Sequence, residues 1–131
     1  MSFAHLTLPT RDVNETARFF EKTLGYRRSP VPENSPVEVV WLDIGRGQQL
    51  HVVYADGFEV SPFESEFGRH VAVFYPLEQF TVLKARLVEH GATLVEPRRA
   101  TRFERFFFRE PVNGYVCEVI DQNREMLLER T

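Results

Sequence analysis

Two glycines that close apolar-striped helical segments, Gly25 and Gly91, stand 66 residues apart, and two turn glycines, Gly47 and Gly114, stand 67 apart. The elements around them recur in the same order, so the chain reads as one module written twice. In the first copy, Phe3 to Pro9 alternates: Ala4, Leu6 and Leu8 share one face, and Phe3, His5 and Thr7 share the other. Asp12, with Glu15 three residues on, opens a helix in the manner of a capping box. Val13, Ala17, Phe20 and Leu24 form its apolar stripe, and Gly25 ends it. An extended piece (26–32), a strand (37–44), a turn at Gly45-Arg46-Gly47 and a strand (48–55) follow. In the second copy, 69–75 is a strand and 76–90 a helix with Phe80, Leu83 and Leu87 buried and Val88 at the edge of that stripe. Segments 92–97, 102–109 and 115–121 are extended, with a hairpin turn at Asn113-Gly114.

The predicted order is βαβββ in each half, which places the chain in the α+β class. Module one spans 1–56, a linker 57–67, module two 68–122 and a tail 123–131 that is either a short helix or a frayed end. Neither half alone carries enough apolar surface for a core, so the two are expected to pair as one domain of 131 residues. The linker holds Phe58, Phe63 and Phe67 and is expected to pack as a lid, over the mouth of a site or over the seam between the modules.

Sixteen basic against nineteen acidic residues argue against a nucleic-acid partner. No apolar run reaches the roughly 20 residues of a membrane span. The start Met1-Ser2-Phe3-Ala4-His5 has no basic, apolar leader, and the lone Cys117 suits a reducing compartment, so a cytoplasmic location is expected.

The repeat also organises the polar groups. His5 and His70 occupy the first strands of the two copies, 65 residues apart. His51 and Glu118 occupy the fourth strands, 67 apart. Each projects from a strand with apolar neighbours on its own face, where an ionised carboxylate is costly unless it is paired or coordinated. Three neutral imidazoles and one carboxylate satisfy a divalent metal, and a pseudo-twofold relation between the copies would gather them. A lone histidine on a strand is more often a surface or core residue; it is the repeat-equivalent set that points to a metal. His90, in the last turn of the second helix, suits the helix dipole and is read as structural.

With these positions in view, the chain resembles the vicinal-oxygen-chelate superfamily, also called the glyoxalase/bleomycin-resistance/dioxygenase superfamily. The resemblance is carried by HLTL (5–8), FFEKTLGYR (19–27), GRHVAVFY (68–75), EHGATL (89–94) and FFFREPVNGYVCEVID (106–121), with Glu110 where the family pattern has Asp. It implies paired βαβββ modules forming a cup-shaped, partly open mixed β-sheet barrel around one divalent metal ion: Fe, Ni, Zn, Mn or Co. His5, His70 and Glu118 match the shared ligands. His51 matches the fourth ligand position of the glyoxalase I branch, where Glu or Gln is usual and doubles as the proton-transferring base. The dioxygenase branch carries a Tyr before the final Glu, where this chain has Phe106, Phe107 and Phe108.

The activity so implied is chelation of a small substrate through two adjacent oxygens, with lyase, isomerase or ring-cleaving dioxygenase chemistry in which His51 and Glu118 are catalytic. The alternative is a metal-free protein that sequesters a small molecule in the bleomycin-resistance manner. A homodimer is typical of the resemblance. Trp41, with Phe106 and Phe108 as its repeat equivalents, would line the substrate pocket or else pack the core. Arg102, Arg105 and Arg109 either form a solvated sheet edge or offer one guanidinium to a substrate carboxylate.

Overall fold

A computed structural model describes residues 3–125. The chain divides into two compact units, Met1–Glu59 and Val60–Thr131. Most of the tail expected to be helical or frayed lies outside the described residues. The first unit runs β1 (His5–Thr10), α1 (Val13–Leu24), β2 (Arg27–Ser29), β3 (Val39–Gly45) and β4 (Gln48–Tyr54). The second runs β5 (Val71–Tyr75), α2 (Phe80–Glu89), β6 (Thr93–Val95), β7 (Arg105–Arg109) and β8 (Val116–Asp121). The twin βαβββ order and the α+β class are therefore those the repeat predicts. Among the described residues no helix is long and apolar enough to cross a membrane.

Both sheets are mixed and have the same strand order. The first is β1-β4-β3-β2 and the second β5-β8-β7-β6. β1 and β4 run parallel, as do β5 and β8; β3–β4 and β7–β8 are antiparallel. A parallel pair needs a long crossover, and here the helix and two further strands supply it.

α1 begins where Asp12 accepts a 3.0 Å hydrogen bond from the Glu15 amide. Only half of the expected capping box forms. The Asp12 amide donates to Thr10 Oγ1, and the Glu15 carboxylate pairs with Arg18 instead. Gly25, at φ 78°, takes the left-handed position that ends the helix. Val13, Ala17, Phe20 and Leu24 are buried against the strands, together with Val40, Leu42, Leu50 and Val52. In the second unit Phe80, Leu83 and Leu87 of α2 meet the face that carries Phe106, Phe108, Cys117 and Val119. Val88 is exposed.

Several strands begin later than the apolar pattern suggests, because local polar groups claim their backbone. β3 starts at Val39 since Ser35 Oγ turns back to the Val37 carbonyl at 2.6 Å. β5 starts at Val71, leaving His70 just outside it, because the Arg69 amide donates to the Phe63 carbonyl at 2.8 Å. Asn113-Gly114 is not a two-residue hairpin. β7 ends at Arg109, and the buried Glu110 carboxylate accepts from the amides of Val112, Asn113 and Tyr115 at 2.7, 2.9 and 3.2 Å. A carboxylate with three amide donors is fully satisfied, which accounts for its burial without a ligand.

Phe63 and Phe67 do not pack into the second unit: they are 72% and 66% exposed. Two carboxylates between those rings, Glu64 and Glu66, turn inward instead.

Candidate functional site

The strand register decides which side chains can meet. In the first unit Trp41 lies opposite His51 on β3–β4, and β1 sets Thr7 beside His51 and His5 beside Gln49. Alternation then places Trp41, Gln49, His51 and His5 on the face opposite the apolar core residues Val40, Leu42, Leu50 and Val52. His51 is sandwiched. Its ring stacks on His5 at 3.9 Å and on Trp41 at 4.2 Å, with interplanar angles of 12° and 4°. His51 Nε2 donates to Gln49 Oε1 at 2.8 Å, which leaves Nδ1 with the lone pair. Burial, and then the neighbouring His5, hold the His51 pKa below 6.5, so its neutral form is favoured at neutral pH. His5 sits on the exposed part of an edge strand.

In the second unit Phe107 lies opposite Glu118 on β7–β8. His70 approaches the same group from the start of β5. Two acceptor oxygens face the His70 ring: the Ser65 backbone carbonyl lies 3.1 Å from Nδ1 and Glu118 Oε1 lies 3.2 Å from Nε2. A neutral imidazole has one N–H for the two of them, so when Nδ1 donates to Ser65, Nε2 presents a lone pair beside Glu118 Oε1, where a shared cation would join them. The spacing suits a cation. Two donors about 2.1 Å from a common divalent ion lie about 3.0 Å apart at octahedral angles and about 3.4 Å apart at tetrahedral ones. A backbone carbonyl that fixes the tautomer of a histidine is also the usual support of a metal ligand. His70 and Glu118 therefore fit a divalent metal on their chemistry. Within each unit, no group of three or more His, Cys, Asp and Glu side chains converges as a metal site among the described residues.

Glu118 is 6% exposed, and its other oxygen is committed. Arg105 Nη1 donates to Oε2 at 2.9 Å, while Arg105 Nη2 donates to Glu66 Oε2 at 2.7 Å. The expectation of a solvated edge is thus corrected at Arg105, which alternation turns to the same face as Phe107 and Glu118 and which is 8% exposed. Burial works against its charge, but hydrogen bonds to Glu66 and Glu118 outweigh that and raise its pKa. Glu66 shows the converse. Burial opposes its ionisation, yet the Arg98 amide, the Arg105 side chain and the Arg99 amide bring it down to about 2. Beside this pair the inward Glu64 binds Arg69 at 2.9 Å and the Val116 amide at 2.8 Å, tying the loop to β8.

Phe106 and Phe108 do not line a pocket. All three rings of 106–108 are buried, but Phe106 and Phe108 lie on the helix-facing side, where Phe106 meets Phe80 of α2 edge-on at 5.3 Å. Burial of such a ring is worth about 1.5–3 kcal/mol, so both are core residues. The register explains the correction. Trp41 opposes His51 and Phe107 opposes Glu118, so Phe107 is the counterpart of Trp41, and a slip of one residue exchanges the faces. Phe107 meets His70 edge-on at 5.3 Å. It also borders a cleft of about 270 Å³ whose other walls include Phe67, Arg98, Arg109 and Val116. Cys117 is buried on the helix-facing side, and that burial pushes its thiol pKa up.

Sequence reasoning gave no role to Glu66 or the Ser65 carbonyl, and it did not place Gln49 beside His51, Phe107 beside His70 or Arg105 beside Glu118. The alternation Arg105-Phe107-Arg109 is a signal for the last two, but only the register against β8 says which face it occupies.

The profile of the Glyoxalase/Bleomycin resistance protein/Dioxygenase superfamily matches residues 2–119. Among curated relatives, Glyoxylase I 4 of Arabidopsis thaliana is 26% identical over 124 residues, covering 90% of this chain and 69% of its own length. Among solved structures, a mutant of the fosfomycin resistance protein FosX from Listeria monocytogenes, complexed with Mn(II) and 1S,2S-dihydroxypropylphosphonic acid, superposes with a TM-score of 0.80. It is 16% identical, with 98% of each chain covered. FosX from Mesorhizobium loti superposes with a TM-score of 0.75 at 18% identity, again over 98% of each chain. These two likenesses are likenesses of fold.

Proposed function

The chain belongs to the Glyoxalase/Bleomycin resistance protein/Dioxygenase superfamily, and from that premise we propose that it is a divalent-metal-dependent enzyme that holds a small substrate through two adjacent oxygens. The observation that carries this reading is His70 Nε2 facing Glu118 Oε1 at 3.2 Å while Nδ1 has an acceptor of its own, the Ser65 carbonyl, at 3.1 Å. The proposed ligands are His70 and Glu118 from the second unit with His5 and His51 from the first. The metal is one of Fe, Ni, Zn, Mn and Co. The FosX complex with Mn(II) and a dihydroxy compound supports both the metal and the class of substrate.

The metal, when bound, supplies Lewis acidity toward the anion that develops on a chelated oxygen. The chain's own residues do the rest. Glu118 contributes negative charge that partly offsets the cation. His51, sandwiched and favoured as neutral, offers Nδ1 either as a fourth ligand or as the atom that takes and returns a substrate proton. Within its own unit, Trp41 stacks on His51 and Phe107 meets His70 edge-on, so each histidine has an apolar neighbour. The reaction is of the lyase, isomerase or dioxygenase kind, and a homodimer in the cytoplasm belongs to the same reading.

Metal analysis tests it. Protein reconstituted with each of the five metals is expected to hold about one equivalent of at least one of them per chain. His5→Ala, His70→Ala and Glu118→Ala should lose the metal. His90→Ala, at the exposed end of α2, should keep it. Loss in all four variants alike, or less than one equivalent in the parent protein, would sink the reading.

One observation favours a second reading. Arg105 donates to both Glu66 and Glu118, so the Glu118 carboxylate has a cationic partner without a metal. That pairing is compatible with a metal-free protein that sequesters a small molecule, and the same metal analysis separates the two.

A further inference from the structure

The two oxygens of Glu118 are treated differently. Oε1 faces His70 Nε2, whereas Oε2 accepts from Arg105 Nη1. Arg105 is not free to follow a moving carboxylate. Its Nη2 donates to Glu66 Oε2 at 2.7 Å and to the Arg99 carbonyl at 2.6 Å, and its guanidinium lies over Phe107 at 5.3 Å. Glu66 is itself held by the backbone amides of Arg98 and Arg99 at 2.6 and 3.2 Å. A planar guanidinium with both terminal nitrogens committed in this way has one orientation.

On the metal-binding reading above, we propose that Arg105 is a positioning residue: it pins Glu118 Oε2, so that Oε1 alone is presented beside His70 Nε2. An unpinned carboxylate can offer both oxygens to a cation. With Oε2 held back, the position it would have taken stays open for a substrate oxygen, which chelation through two adjacent oxygens requires. Glu66 and the 98–99 turn serve as the anchor of the device. A purely structural ion pair would not depend on which oxygen is engaged.

The test is titration of the full-length protein with Co(II) alone, followed by calorimetry and by the visible d–d absorption of the bound ion. Arg105→Lys replaces the two-pronged donor with a point charge and is compared with the parent protein. The expected result is a 10–100-fold weaker Co(II) affinity. The d–d bands should also weaken, as Glu118 becomes bidentate and the coordination number rises. Should Arg105→Lys fail to fold by circular dichroism, Glu66→Gln takes its place: it removes the charge that anchors Arg105 but keeps an oxygen acceptor, and the same spectral change is expected. Unchanged affinity with a superimposable spectrum in a folded variant overturns the positioning role while leaving metal binding intact. Absence of Co(II) uptake by the parent protein overturns the metal-binding reading and this one with it.

Discussion

Individual polar residues in this protein are decided by what they can donate or accept. Glu110 is buried because three amides reach it, and Glu66 is ionised because two amides and a guanidinium do. The pH dependence that follows has a definite sign. The folded-state pKa of Glu66 lies near 2 against an ordinary 4.5, so the folded form binds this proton less readily than the unfolded chain. Its contribution to stability is complete above about pH 4.5 and disappears as the pH falls toward 2. Urea denaturation in that window should therefore show a shallower pH dependence for Glu66→Gln than for the parent. Parallel curves would show that Glu66 is not held as described.

At the level of elements, local signals were sufficient for the helices and insufficient for the turns. α1 starts at its cap and stops at its left-handed glycine as the pattern of Asp12, the apolar stripe and Gly25 predicts. Asp12→Ala is expected to cost about 1 kcal/mol through the lost cap. Gly25→Ala should cost about 1–2 kcal/mol, because alanine resists the left-handed conformation. Both losses are readable as shifts in the denaturation midpoint at constant slope, and a neutral Gly25→Ala would contradict the assigned φ. The β7–β8 connection was not legible in this way. Asn-Gly favours a two-residue turn, but Pro111 has no amide to give the ladder, and Glu110 draws the remaining amides to itself.

The whole molecule is a duplication in which the same strand order is built twice. Each unit buries the helix-facing side of its sheet and leaves polar groups on the other side. Cys117 lies on the buried side of the second unit, and both its burial and its raised pKa protect the thiol. Labelling by an aromatic disulfide reagent is thus expected to be slow in the native protein and to track global unfolding as denaturant is added. Rapid labelling under native conditions would place the thiol on a surface.

The fold class, the order of elements and the repeat-equivalent spacing of His5, His51, His70 and Glu118 were legible in the chain, because caps, alternation and periodicity act over a few residues at a time. The orientation of those groups was not. Which face Phe107 takes follows from a strand register set by a turn whose geometry Glu110 controls. Which oxygen of Glu118 is free follows from contacts with Arg105 and His70, 13 and 48 residues away in sequence, and from Glu66, 39 residues from Arg105. Hydrogen-bond partners that far apart leave no periodic trace in a sequence; only the folded backbone brings their donors and acceptors within 3 Å or so of one another.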